Sequence, residues 1–155
     1  TVRQLEEGET EDVWINSALF DLKESYKSMA RENSFEMDFE MKEDVRTTAG
    51  PLLEDMYAQI VENSIRHSEG SEIRITLEDN ERPLVVIEDD GIGIPEDISD
   101  NLFDKGVKGQ KTGNTGIGTV LIDRIAERYE IDIEVGESDM GGAEFRLEHQ
   151  PAENC

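Results

Sequence analysis

Two glycine-rich segments separated by a lysine-containing stretch constrain this chain more than any other feature. The first reads Asp89-Asp-Gly-Ile-Gly-Ile-Pro95 and the second reads Gly113-Asn-Thr-Gly-Ile-Gly-Thr119. Glycine tolerates positive φ and lets a ligand approach the bare backbone. Consecutive N–H groups in such turns form concave anion sites, especially where a helix begins. We therefore expect a nucleotide to bind between the two segments.

The charge of the chain limits its partners. Its 155 residues include 38 acidic and 15 basic ones, a net charge of −23, and the acidic residues are spread through the whole sequence. That spread is typical of a solvated acidic surface and not of a disordered tail. Such a protein repels DNA, RNA and anionic lipid, so we expect no nucleic-acid partner. The composition favours a halophilic source over an acidic mesophile, because salt shortens the range of the repulsion.

Length and cysteine usage indicate one soluble domain with a full core. The single cysteine, Cys155, excludes an internal disulfide framework and a cysteine-based metal site. No apolar run approaches the roughly 18 residues that cross a bilayer, and no apolar leader opens the chain. We expect a cytoplasmic segment without direct membrane contact, although a longer parent protein could carry an anchor elsewhere.

Periodicity of apolar residues predicts the secondary structure, after a first dozen residues that we expect to be a linker. Spacing of three and four residues predicts helices at Val13 to about Arg31, Gly50-Pro51 to about His67, Pro95 to Leu102, and Gly116 to Tyr129. In the last helix the residues expected to face inward are Val120, Leu121, Ile125 and Ala126. Alternation predicts strands at Ser34–Met41, its candidate partner Val45–Ala49, Ile73–Leu77, Leu84–Ile87, Ile131–Val135 and Ala143–Leu147.

The mixed order of strands and helices predicts the fold class. Two pairs of strands are expected to form hairpins, one through the loop Asp79–Pro83 and one through the turn Gly141-Gly142. The helices are long enough to cover one face of a sheet. The sequence therefore predicts an α/β fold, a two-layer sandwich of a mixed, mostly antiparallel sheet with helices on one face.

One face of the second predicted helix carries polar residues suited to a metal–phosphate site. Gln59, Asn63, Arg66 and His67 share this face. An asparagine carboxamide oxygen suits Mg²⁺, which prefers oxygen ligands, and an arginine one turn on could reach phosphates that the metal bridges. Taken alone, however, this helix is better explained as a polar face in water.

The first glycine segment follows an apolar strand directly. Asp89 at the strand end could accept a hydrogen bond from an exocyclic amine such as that of adenine. An ordinary Asp-Gly turn is the alternative, but the second glycine, Gly93, has no explanation as part of a turn alone.

Three of the six lysines of the chain, Lys105, Lys108 and Lys111, lie between the glycine segments. In so acidic a protein this enrichment favours contact with phosphate over a solvated loop. The stretch is not a P-loop, since Gln110 and not glycine directly precedes Lys111, and Gly91-x-Gly93 lacks the third glycine of a dinucleotide fingerprint.

Four segments resemble, in order, the N, G1, F and G2 boxes of the GHKL ATPase superfamily: Glu62-Asn63-Ser-Ile-Arg66-His67, Asp89-Asp-Gly91-Ile-Gly93-Ile94, Leu102-Phe103-Asp-Lys105 and Thr115-Gly116-Ile-Gly118-Thr119. Their spacing most resembles the catalytic ATP-binding domain of sensor histidine kinases, over roughly Val45 to Leu147. The resemblance implies a Bergerat-type sandwich that binds ATP under a mobile lid.

The resemblance also implies roles for individual residues. Asn63 would coordinate Mg²⁺, Arg66 and His67 would contact phosphates, and Asp89 would recognise the adenine amine. Phe103 would anchor the lid. Further nucleotide contacts are implied for Gly91, Gly93, Ile94, Lys105, Lys108, Lys111, Thr115, Gly116, Ile117, Gly118 and Thr119.

Three departures from the family pattern qualify these expectations. Gln59 stands where hydrolytic members place a glutamate general base, so Glu62 becomes the candidate base. The last box reads Gly141-Gly-Ala-Glu-Phe145 without the usual threonine, which could remove an adenine-side contact. The histidines are His67, inside the N box, and His149, which we expect at the surface, so neither is placed as a phosphoacceptor.

These observations lead to one expected function and two alternatives. The chain would transfer the γ-phosphoryl of Mg-ATP to a histidine outside it, on a dimerisation domain joined through residues 1–33, with residues 34–155 as the catalytic domain. A response regulator would be the next partner, and the parent protein would be a homodimer. The alternatives are a non-catalytic nucleotide-sensing module and an anti-sigma-type protein-serine kinase; hydrolytic members fit less well without the glutamate.

Overall fold

The computed structural model describes residues 10–42, 44–67, 69–91 and 113–152. Within them the chain forms, in order, β1 (Glu11–Trp14), α1 (Ile15–Glu32), β2 (Glu36–Met41), β3 (Arg46–Ala49), α2 (Leu53–His67), β4 (Glu72–Glu78), β5 (Leu84–Asp89), α3 (Gly113–Arg128), β6 (Asp132–Glu137) and β7 (Ala143–Glu148). No helix in the described part of the chain is both long and apolar enough to cross a membrane.

The main sheet has five strands in the order β2-β4-β5-β7-β6. β2 runs parallel to β4, and the other neighbours are antiparallel. Both predicted hairpins are present, β4 with β5 and β6 with β7. The predicted two-layer α/β sandwich with a mixed, mostly antiparallel sheet is confirmed.

One hydrophobic core lies between the sheet and the helices. The strand β4 alternates buried and half-buried residues, so that Ile73, Ile75 and Leu77 enter the core. On α2 the buried stripe includes Met56 and Ile60. Because each such side chain contributes roughly 1.5–3 kcal/mol when fully buried, the alternation of the strands and the stripe on α2 together fix which sheet face the helices cover.

The N-terminal segment differs from the prediction at Glu11 and Asp12, which belong to a strand, whereas residues 1–9 of the predicted linker lie outside the described residues. Residues Glu11–Trp14 form β1, which pairs antiparallel with β3, so α1 begins at Ile15 and not at Val13. The N–H of Ile15 donates to the Val45 carbonyl at 2.9 Å and fixes this junction. The partner of β3 is therefore β1 and not the alternating strand β2. Each of these strands has only four residues, and alternation of apolar and polar residues over so short a segment is too weak to predict the pairing.

Two helix starts and one helix face also differ from the predictions. α2 begins at Leu53, because Gly50-Pro51 belong to the preceding connection. α3 begins at Gly113, so the second glycine segment lies in the first turns of the helix and not before it. Leu121 is exposed and Ile122 is buried in its place, so the predicted inward face was wrong by one residue there. The predicted helix at Pro95–Leu102 lies outside the described residues.

The prediction of a surface position for His149 was wrong, since its side chain is 0% exposed. It continues the inward alternation of β7 by one residue. Its Nδ1 lies 3.0 Å from the Pro83 carbonyl and its Nε2 lies 2.6 Å from the Tyr57 hydroxyl. A carbonyl only accepts, so Nδ1 carries the proton and Nε2 accepts from Tyr57. Burial lowers the pKa of His149 to about 4.

This burial makes stability depend on pH. Between pH 6.5 and about 4 the unfolded chain protonates His149 while the folded chain keeps it neutral, so the free energy of unfolding falls as the pH falls through this window. We expect a loss of about 3 kcal/mol from this group, at 1.36 kcal/mol for each pKa unit. Urea denaturation of the wild type and His149→Gln across the window measures it. The advantage of the wild type should shrink towards pH 4; a constant difference would contradict the assignment.

Candidate nucleotide-binding site

Asp89 ends the central strand β5 and is only 2% exposed. Its Oδ1 accepts the backbone N–H of Gly91 at 3.0 Å and that of Ala143 at 3.1 Å. Its Oδ2 accepts the hydroxyl of Ser64, from α2, at 2.8 Å. Three donors from three parts of the chain thus fix the orientation of a buried carboxylate at the end of the sheet.

Gly142 allows the turn before β7 to approach Asp89. Its N–H donates to the Asp89 carbonyl at 3.1 Å. A Cβ at this position would overlap with Oδ1 of Asp89 and come within 2.5 Å of the Gly91 nitrogen. The last glycine segment, which lacks the expected threonine, therefore contacts Asp89 through its backbone.

Asp90 fastens the same strand end on its other side. It accepts the N–H of Ser71 at 2.7 Å, the N–H of Glu72 at 2.9 Å and the Ser71 hydroxyl at 2.9 Å. Burial acts to raise the pKa of Asp90, but these hydrogen bonds favour its charged form and lower the pKa overall. The strand end thus holds two neighbouring carboxylates, one oriented by α2 and β7 and one by the start of β4.

The polar face of α2 lies beside this strand end. Gln59 and Asn63 are half-buried, and Arg66 is exposed. Arg66 pairs with Glu62 one turn earlier, with Nη2 3.0 Å from Oε2. The hydroxyl of Tyr26, from α1, donates to the other oxygen of Glu62 at 3.3 Å. Burial, followed by the negative charge of Glu62, raises the pKa of Tyr26.

Ser64 brings two of the predicted motifs together. It follows Asn63 on α2 and bonds Asp89, so the helix with the predicted metal ligand and the strand with the predicted adenine contact form one cluster. His67 ends α2, and its side chain lies outside the described residues, as do the side chains of Thr115, Ile117 and Thr119 in α3. The predicted contacts at Gly93, Ile94, Phe103, Lys105, Lys108 and Lys111 also lie outside the described residues.

Sequence reasoning missed Ser64, Asp90 and Gly142. Ser64 lies on the buried stripe of α2. A buried hydroxyl needs a hydrogen-bond partner, so the position of a serine on the apolar stripe was a signal in the sequence for such a contact. Gly142 looked like part of a turn, because nothing in the sequence tells a turn glycine from one that another residue approaches. The sequence did not indicate that Asp90 accepts a set of hydrogen bonds different from that of its neighbour Asp89.

The available oxygens fit Mg²⁺ bound through a nucleotide. Mg²⁺ takes one or two protein ligands and fills its other positions with waters and phosphates. The carboxamide of Asn63 forms no hydrogen bond with another described residue and is partly open to solvent. No three acidic, histidine or cysteine side chains gather within the described segments to form an all-protein cage.

Comparison with known proteins identifies the family. Residues 48–154 match the family described as histidine kinase-, DNA gyrase B- and HSP90-like ATPase. The chain belongs to this family. The matched residues include the cluster of Asp89, Ser64 and Gly142 at the end of β5.

Curated relatives of this ATPase domain include sensor histidine kinases. It is 26% identical over 157 residues to the sensor histidine kinase AruS of Pseudomonas aeruginosa, covering 90% of this chain and 16% of that protein. It is 32% identical over 130 residues to the sensor histidine kinase CssS of Bacillus subtilis, covering 80% of this chain and 27% of that protein. The chain thus spans about a quarter or less of these relatives.

Solved structures share the fold. The catalytic domain of histidine kinase ThkA in a nucleotide-free form superposes with a TM-score of 0.80 at 21% identity, covering 93% of this chain and 99% of that one. Full-length ShkA in complex with AMPPNP gives a TM-score of 0.76 at 20% identity, covering 98% of this chain and 32% of that one. The fold of the ATPase domain is that of histidine kinase catalytic domains.

The contact between Gly142 and Asp89 leads to a test of stability. We expect Gly142→Ala to lower the free energy of unfolding by about 1–3 kcal/mol, because the new methyl group must displace buried neighbours. Gly136→Ala is the matched control, since a Cβ there meets nothing within 4 Å. Urea denaturation compares the two variants; equal stability would contradict the crowding around Asp89.

Proposed function

We propose that the chain is the ATP-binding catalytic domain of a sensor histidine kinase. It would bind Mg-ATP and transfer the γ-phosphoryl group to a histidine outside the chain. The observation that carries this proposal is the buried Asp89, oriented at the end of β5 directly beside the helix that carries Asn63. Membership of the ATPase family and the sensor-kinase relatives support it.

Oδ2 of Asp89 is proposed to accept a hydrogen bond from the exocyclic amine of adenine. A carboxylate offers about four acceptor positions, and three are used by Gly91, Ala143 and Ser64. Both backbone donors engage Oδ1, so the position left belongs to Oδ2. An amine donates to such an oxygen, whereas the 6-oxo group of hypoxanthine would face it with a second acceptor. Ser64 is then the positioning residue for this contact.

Asn63 is proposed to hold Mg²⁺, and Arg66 to contact the phosphates, with His67, Lys105, Lys108 and Lys111 as further candidates. When bound, Mg²⁺ would neutralise charge on the β- and γ-phosphates. In an α-helix that begins at Gly113, the N–H groups of residues 113–116 would lack a partner within the helix and would be available to a phosphate at its positive end. This favours Gly116 over Gly118 among the predicted backbone donors.

The proposed step is an in-line displacement. A nitrogen of the acceptor histidine attacks the γ-phosphorus, the bond to the bridging oxygen breaks, and ADP leaves with that oxygen. Glu62 is the proposed acceptor for the proton of the histidine ring. Gln59 stays neutral and cannot activate water in the way a glutamate does, which disfavours hydrolysis.

The proposed partners are a histidine-bearing dimerisation domain, a response regulator and, through the parent protein, a second copy. Residues 1–33 are proposed to connect to the dimerisation domain and residues 34–155 to form the catalytic domain, in the cytoplasm. Leu19 and Leu22 of α1 belong to the same buried core as Met56 of α2. A change in the position of α1 would therefore act on the helix that bears Asn63.

A transfer assay tests the proposed function. The parent protein incubated with ³²P-labelled ATP should gain an acid-labile, alkali-stable phosphoryl group that requires a divalent cation. Asn63→Ala should lower the initial rate at least about a hundredfold, since an interaction made in the transition state is lost. Asn80→Ala, in the exposed loop between β4 and β5, is the matched control and should leave it unchanged. An acid-stable phosphoserine would favour the protein-serine kinase, and binding without transfer the sensing module.

Base selectivity tests the role of Asp89 separately. The wild-type chain should bind ATP at least about tenfold more tightly than inosine triphosphate, the difference of one mispaired polar contact. In Asp89→Asn the two backbone donors should retain the amide oxygen, so that the NH₂ group faces the base and the preference moves towards inosine triphosphate. Calorimetry on the 155-residue chain measures both affinities; an unchanged ratio in the variant would contradict this role.

A further inference from the structure

A groove of about 600 Å³ lies between the second half of α1 and the start of β2. Lys23, Lys27 and Arg31 line it from the helix, and Phe35 and Met37 line it from the strand. The three basic residues are spaced by four, so they lie one above another on α1 and form a basic stripe. A basic stripe along a groove is unusual on a chain with a net charge of −23.

The basic stripe is only weakly engaged within the molecule. The Lys23 ammonium lies 5.7 Å from the ring centroid of Phe39. Lys27 pairs with Glu24 at 3.5 Å, and both side chains are about half exposed, where such a pair contributes little. Arg31 has no carboxylate partner among the described residues. Glu36 and Glu72, the first residues of β2 and β4, also line the groove.

The strand beside the groove has a free edge. β2 is the end strand of the sheet and pairs only with β4 among the described residues. The N–H groups of Glu36 and Lys42 donate towards β4, to Ser71 at 2.9 Å and Leu77 at 3.1 Å. Because backbone groups alternate along a strand, those of residues 37, 39 and 41 point away from β4. Such a row of free N–H and C=O groups is a template for another strand.

The two faces of this edge differ in charge. The side chains of Met37 and Phe39 face the helices, next to the basic stripe, whereas Glu36, Asp38 and Glu40 face the open side of the sheet. An added strand that alternated acidic and basic residues would place its acidic side chains towards the stripe and its basic side chains beside the three carboxylates. A second copy of β2, paired antiparallel, would instead place like charges opposite each other, which is destabilising.

We propose that the edge of β2 and the basic stripe together bind an extended segment of a partner protein in which acidic and basic residues alternate. The segment adds a sixth strand to the sheet, with main-chain hydrogen bonds for affinity and the two charged faces for specificity. None of the residues that line this surface is among those proposed for phosphotransfer. Ser71 lines the groove, and its hydroxyl donates to Asp90, the residue after Asp89. A segment bound in the groove would therefore contact a residue that is hydrogen-bonded to the end of β5.

A pair of isomeric peptides tests this proposal on the 155-residue chain. One peptide of about eight residues alternates Glu and Lys, long enough to span β2. The other has the same residues as one block of Glu and one block of Lys, so composition and net charge are identical. We expect the alternating peptide to bind at least about tenfold more tightly by calorimetry at low salt. Equal affinity for the two would overturn the proposal.

Two matched charge reversals locate the surface. Arg31→Glu should weaken binding of the alternating peptide at least about tenfold, since it turns an attraction into a repulsion. Arg124→Glu changes the net charge equally at an exposed position on α3 and should leave the affinity unchanged. Equal losses in both variants would mean that only overall charge matters, and would overturn the proposal.

Amide hydrogen exchange tests the strand addition itself. In the free chain the N–H groups of Met37, Phe39 and Met41 should exchange quickly and those of Asp38 and Glu40 slowly. Saturation with the alternating peptide should slow the first three at least about tenfold. Binding without this protection would overturn the added strand. Protection that grows with protein concentration alone would make a second copy the occupant, and would overturn the assignment to a partner.

Discussion

The buried carboxylate of Asp89 is the interaction on which the described site depends. A charge can be held away from water only where hydrogen-bond donors replace the lost hydration, and here the donors come from Ser64, Gly91 and Ala143. These belong to a helix, a loop and a strand that are far apart in the sequence. At this end of the sheet, hydrogen bonds to a buried carboxylate therefore hold these segments together, in addition to the burial of apolar side chains.

At the opposite end of β5 a cation has the corresponding role. Arg82, in the loop between β4 and β5, places Nη1 2.6 Å from a carboxylate oxygen of Asp132 and donates to the carbonyls of Glu130, Glu148 and His149. One guanidinium thus joins the hairpin loop to the start of β6 and the end of β7. Its planar fork of donors suits several acceptors at once, which the single ammonium of a lysine could not match.

The sequence was sufficient to predict those features that depend on local pattern. Alternation along β4 and β7 and the stripe on α2 predicted the sandwich, and the resemblance to known motifs indicated Asn63 and Asp89 as candidate site residues. The errors arose where distant contacts decide the outcome. β1 exists because β3 is available to pair with it, and the glycines that open α3 are helical although their propensity favours a loop. Gly142 owes its importance to Asp89, more than fifty positions earlier, a neighbour that no local pattern reveals.

The linked side chains of Tyr26, Glu62 and Arg66 connect α1 to the polar face of α2. While Arg66 rests against Glu62, that carboxylate is shared between a guanidinium and the hydroxyl of Tyr26. An anion that draws Arg66 away leaves the phenol as the remaining described donor to the carboxylate, and a hydrogen bond tightens when its acceptor loses a competing cation. The hydrogen bond between Tyr26 and Glu62 would then hold α1 against α2 more strongly when an anion is bound than when it is absent. Binding of the anion would thereby reduce the mobility of α1, at a distance from the bound anion itself.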